Sequence, residues 1–184
     1  MEQRIDLDEI IVELEIADML PGKRTPEQEA IVTRVYKGIK EGALGSNGMS
    51  GALYLALGIT GPFSRDRIDT RGVNSTFENG LGQTDTPTTG DVCAWHSNPL
   101  VYVQDGFHTS GLRHLGVVLG VREGVFYIAH QVGSRICIDP EETARQKVDA
   151  QARTEFPGRY EGILAVRYHP LAVVSENRRN YLRR

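Results

Sequence analysis

Arg113-His114-Leu115-Gly116-Val117-Val118-Leu119-Gly120 and its continuation Val125-Phe126-Tyr127-Ile128-Ala129-His130-Gln131 decide how this chain reads. Both runs are rich in β-branched and aromatic residues, and Glu123-Gly124 between them signals a turn, so they predict a β-hairpin. Side chains alternate between the two faces of a strand. His114 therefore shares a face with Gly116, Val118 and Gly120, while Leu115, Val117, Leu119 and Val121 face the other way. His130 shares a face with Phe126 and Ile128. The hairpin holds two imidazoles near one end or edge of one sheet, and an imidazole titrates near neutral pH. The bland reading of each is a partly buried core histidine.

On the N-terminal side, Gly90-Asp91-Val92-Cys93-Ala94-Trp95-His96 is a turn entering a strand. Val92 and Ala94 face one side, Cys93 and Trp95 the other. Pro99–Val103 extends or bends that strand, and Gln104–Gly111 reads as a loop. On the C-terminal side, Ser134–Asp139 is a short strand. Asp139-Pro140-Glu141-Glu142 is a capping pattern with Asp139 as cap, opening a polar helix to about Thr154. Tyr160–Val166 reads as the last strand.

Further upstream, Leu7–Leu20 has apolar residues at helical spacing and one wet face. Thr25-Pro26-Glu27-Gln28 is a capping box opening a second helix, with Ile31, Val32, Val35 and Ile39 as its buried stripe and an end near Gly42. Leu44–Met49 is a Gly/Ser/Asn loop. The apolar run that follows, to Gly58, reads as a short central helix buried on several sides. Its start near Met49-Ser50 offers free backbone N–H groups and the positive end of the helix dipole, which would stabilise an anionic nucleophile. Thr60–Thr89 reads as a long polar surface excursion. Helices first, then neighbouring strands, predict an α+β fold with a mainly antiparallel sheet.

Composition narrows the class. The chain has 184 residues, 40% hydrophobic and 24% charged, enough for one domain with a real core. The reading is a single domain over 1–184: N-terminal helices over 1–43, a core over 44–170 and a basic C-terminal tail over 171–184. A net charge of −3 argues against nucleic acid as the partner. No apolar run approaches the ~18 residues needed for a membrane span. The N-terminus lacks the order of a signal peptide, so a cytoplasmic site of synthesis is expected, with signal-independent export open. Cys93 and Cys137 lie in strand-like runs and read as reduced core residues. His108, His114, His130 and Cys137 have no standard zinc-ligand spacing, and neither metal nor cofactor is expected.

These segments resemble the NlpC/P60 cysteine peptidases, which have a papain-like core. That family places Asp-Cys-Ser-Gly at the start of a buried helix. A Gly-Asp-Leu strand, a His-hydrophobic-Gly strand ending in Leu-Gly, and a strand with a second polar residue, often His, follow. Gly90-Asp91-Val92, His114–Gly120 and Tyr127-Ile128-Ala129-His130 match the last three in order, and Gly133-Ser134-Arg135-Ile136 is similar to the family's next turn and strand. The resemblance covers roughly Gly48 to Ile138. It implies His114 as general base and His130 as the residue orienting it. The chain departs from the family at Gly48-Met49-Ser50-Gly51, where Met49 occupies the nucleophile position. A thioether has no proton to lose and cannot attack as a thiolate does.

Two replacements are weighed. Ser50 is chemically competent beside a histidine, but one helix position turns a side chain by about 100 degrees. Cys93 sits mid-strand, where a buried inert thiol is the default. The favoured reading is a degenerate NlpC/P60-like domain that binds a peptide, a cell-wall fragment or a protein partner in the former cleft, with Trp95 and Tyr54 lining it. The alternatives are an active peptidoglycan or peptide amide hydrolase using Ser50 or Cys93, and a structural or assembly component of a phage or secretion apparatus.

Overall fold

The computed structural model describes residues 24–40, 51–59, 73–77, 79–97, 111–133, 135–155, 157–158 and 160–183. The helix expected over Leu7–Leu20, the loop up to Ser50 and the Pro99–Val103 extension lie outside the described residues. Helices α1 (Pro26–Lys40) and α2 (Gly51–Ala56) precede strands β1 (Val92–Ser97), β2 (Leu112–Arg122), β3 (Val125–Val132) and β4 (Arg135–Pro140). Helix α3 (Glu141–Glu155), strand β5 (Ile163–His169) and helix α4 (Leu171–Leu182) complete the order. The strands form one antiparallel sheet in the order β4-β3-β2-β1-β5. The α+β class and antiparallel sheet expected from the sequence are present.

Helix α1 starts at the capping box. Thr25 Oγ1 accepts from the Gln28 amide at 3.2 Å, and Gln28 Oε1 accepts from the Thr25 amide at 2.9 Å. Ile31, Val32, Val35 and Ile39 are buried, as the stripe requires. The β2–β3 hairpin closes through a two-residue turn in which Glu123 (φ 51) and Gly124 (φ 80) are both left-handed, the geometry that matches strand twist.

The sheet is covered on both faces. On one, α1, α2, the helical turn 73–77 and Val174 of α4 pack with Val92, Ala94, Leu115, Val117, Leu119 and Ala129. On the other, Ala144, Val148 and Ala152 of α3 pack with Cys93, Trp95, Val118 and Ile128. Fully burying one such aliphatic or aromatic side chain is worth about 1.5–3 kcal/mol.

Several expectations change, the first being the last strand, expected over Tyr160–Val166 and found at Ile163–His169. The β2–β3 register shifts between Val118 and Gly120, so Gly120 and Val121 do not keep the simple alternation from His114. The excursion Thr60–Thr89 is not wholly a surface loop: Val73, Thr76 and Phe77 are buried in the turn 73–77. The segment 171–184, read as a basic tail, is helical from Leu171 to Leu182. Pro170 opens that helix, accepting from the Val173 and Val174 amides, and Val174 anchors it in the core.

Candidate functional site

The two histidines meet on the α3 face. Trp95 pairs with His114 across β1 and β2, and Gly116 pairs with His130 across β2 and β3. Direct partners in a ladder share a face, so His114, His130 and Trp95 form one patch. Their rings touch: His114 and His130 are edge-on with centroids 5.4 Å apart, and Trp95 lies 5.6 and 5.9 Å from them. Gly116 leaves the space for this. A Cβ there would collide with Ile128 Cγ2, lie 3.0 Å from the Ala129 carbonyl oxygen and 3.1 Å from Trp95 Cη2. The glycine of the His-hydrophobic-Gly pattern is thus a packing requirement of the histidine patch.

Hydrogen bonds extend the pair into a chain of four. His114 Nε2 lies 3.3 Å from His130 Nδ1, and His130 Nε2 lies 2.9 Å from Asp139 Oδ2. Lys147 Nζ donates to both Asp139 oxygens at 2.6 and 2.8 Å. An ionised carboxylate only accepts, so His130 Nε2 carries a proton. Across the His114 Nε2–His130 Nδ1 contact, one ring nitrogen donates and the other accepts. The four side chains form a hydrogen-bonded relay, with Lys147 as its partly exposed far end.

Burial, then the neighbouring His130, lowers His114 to about 3, so it is neutral at physiological pH. Burial alone would raise Asp139. The hydrogen bonds from His130 and Lys147, and then their charges, outweigh it and hold the carboxyl below the usual range. At the start of α3, Glu141 accepts from Trp95 Nε1 at 3.4 Å and tethers the helix over the patch.

The other predicted residues fall in different places. Met49 and Ser50 lie outside the described residues. Gly51 opens α2 with its amide donating to Gln131 Oε1 at 3.3 Å, and α2 packs on the face opposite His114 and His130. Cys93 is on the histidine face but fully buried. Burial, followed by the Glu141 charge, pushes its thiol well up, against a hydrogen bond with Tyr168. Trp95 and Tyr54, expected to line a cleft, are both buried: Trp95 packs between the histidines and α3, and Tyr54 sits on α2. Among the described residues, no three His, Cys, Asp or Glu side chains are grouped to hold a metal ion. No described helix is long and apolar enough to cross a membrane.

Asp139 and Lys147 were missed as site residues. Asp139 was read as a helix cap, and only the register Ile128↔Asp139 places it on the His130 face. The Gly90-Asp91 motif has a local role. Asp91 accepts from the Thr88 amide at 2.8 Å, and the Asp91 and Gly90 backbones bond Val118. Compared with protein-family models, curated proteins and solved structures, the chain has no match.

Proposed function

We propose that this chain is a degenerate NlpC/P60-like domain that has lost classical cysteine peptidase chemistry and binds a peptide, a cell-wall fragment or a protein partner. The observation that carries the reading is the closed relay His114–His130–Asp139–Lys147, buried beneath α3 on the face opposite α2. A nucleophile must share a hydrogen bond with its base, and in the resembling family the nucleophile opens the buried helix. Here that helix packs on the other face, and Met49 holds the nucleophile position. In this reading the histidines order β2, β3 and α3 as a rigid support for the binding surface.

One observation favours a second reading, an amide hydrolase using Ser50. Burial lowers His114 to about 3, so at neutral pH its ring keeps an unprotonated nitrogen, as a general base requires. Calorimetric titration with soluble peptidoglycan fragments and short γ-D-glutamyl peptides, with mass spectrometry of the same samples, separates the two. Binding without cleavage agrees with the degenerate domain. Cleavage abolished by both Ser50→Ala and His114→Ala makes the chain an enzyme. Neither binding nor cleavage removes the cell-wall ligand class.

A further inference from the structure

We propose that His169 is an acid-sensitive clasp, whose protonation releases the segment 79–84 from the sheet edge. His169 ends β5, away from the histidine relay. Its Nδ1 lies 2.8 Å from the Leu81 carbonyl oxygen. A carbonyl only accepts, so Nδ1 carries the proton and Nε2 holds the lone pair. Among the described residues Nε2 is buried with no hydrogen-bond partner, and the residue has no exposed surface. The ring stands edge-on to Phe77 at 5.0 Å, inside the cluster that also holds Val92 and Val174. A proton on Nε2 would create a buried cationic N–H with nothing to accept it, a state that burial strongly disfavours.

The charged groups around the ring offer no compensation. Arg167, two residues back on the same strand, opposes a second positive charge. On β1, Asp91 beside the strand partner Val92 is engaged by Thr88. On α4, Glu176 and Arg179 are exposed and Arg178 already has its own interactions. The 73–77 turn and the residues Leu81, Gly82 and Thr84 bring no charge, and Asp85 beyond them is exposed. Burial, aided by the Arg167 charge, outweighs the Leu81 hydrogen bond that raises it and keeps His169 below its ordinary value, so acid favours the conformation in which the ring reaches water.

The segment released is defined by its other bonds. The Leu81 amide donates to Thr76 at 2.9 Å, and the Thr84 amide donates to Tyr168 at 3.0 Å. The Leu81 carbonyl bond to His169 lies between these two. Loss of it frees a stretch of the polar excursion that borders β5. The clasp does not depend on the binding reading, since its test reads an opening.

The experiment is amide hydrogen exchange on the whole chain, expressed as protection factors for Leu81 and Thr84, at pH 7.5 and 5.5. A histidine that titrates normally only when open raises the opening constant up to about tenfold over that interval. The expected result is a fall of that size in both protection factors, absent in His169→Asn, which keeps a donor but does not titrate. His114→Gln should retain the fall, which separates the clasp from the relay. Protection that is flat with pH in the unaltered chain, or an equal fall in His169→Asn, overturns the proposal.

Discussion

Gly116 is the residue on which the histidine patch depends most directly. Its missing Cβ is the space occupied by Ile128 and the edge of Trp95. Gly116→Ala should therefore destabilise the fold by about 1–3 kcal/mol, the range for overpacking a close-fitted core. Urea denaturation measures it, and a change within about 0.5 kcal/mol would mean that the patch is looser than its contacts imply. At the same scale, Thr25→Ala removes the bond to the Gln28 amide and should cost about 1 kcal/mol. That capping box was legible in the sequence because all its information lies within four residues. The role of Gly116 was not, because its neighbours come from two other strands.

Among the elements, the polar ties that hold α3 to the sheet include Trp95 to Glu141, His130 to Asp139 to Lys147, and Arg145 to the Ile163 carbonyl. Their unequal burial predicts unequal consequences. Asp139→Ala strands the buried Nε2–H of His130 and should cost on the order of 2–4 kcal/mol. Lys147→Met removes a partner whose side chain is 43% exposed and should cost about 1 kcal/mol or less. Thermal unfolding of the two variants gives the ratio. Equal losses would show that Asp139 and Lys147 act as one buried ion pair.

The strands were legible through alternation, and with them the division of Val92 and Ala94 from Cys93 and Trp95. Asp139 was not, because its partner is fixed by the β3–β4 register, which no local pattern encodes. At the C-terminus, Arg178 and Arg179 of α4 with Arg183 and Arg184 beyond it give the segment its basic character and mask its helical pattern. The apolar spacing Leu171, Val174 after Pro170 was the signal for a helix. The turn 73–77 was hidden by the polar residues around it, although Val73 and Phe77 are four apart, one helical turn.

For the whole molecule, the buried neutral histidines set the response to acid. His114 is lowered from the ordinary histidine range to about 3, so the unfolded chain takes up its proton first as pH falls. Stability from this group is intact above about pH 6.5, declines below it, and stops declining near pH 3. Between pH 7.5 and pH 5 the loss is about 2 kcal/mol. His169, also lowered, adds in the same direction. Asp139, a depressed carboxyl, adds a further loss only below the ordinary carboxylate range. Chemical denaturation at the two pH values checks this, and the pH dependence should shrink in His114→Gln.

The measurement that bears most directly on the account is cleavage of purified peptidoglycan fragments and short γ-D-glutamyl peptides, followed by mass spectrometry, for the unaltered chain, Met49→Cys and His114→Ala. A degenerate domain whose histidine relay is a support predicts intact substrates with the unaltered chain and with His114→Ala. With α2 on the face opposite His114, Met49→Cys should leave the substrates intact as well, and cleavage by it would contradict that placement. Cleavage by the unaltered chain that disappears in His114→Ala would contradict the account, and would make His114 the working base of an enzyme.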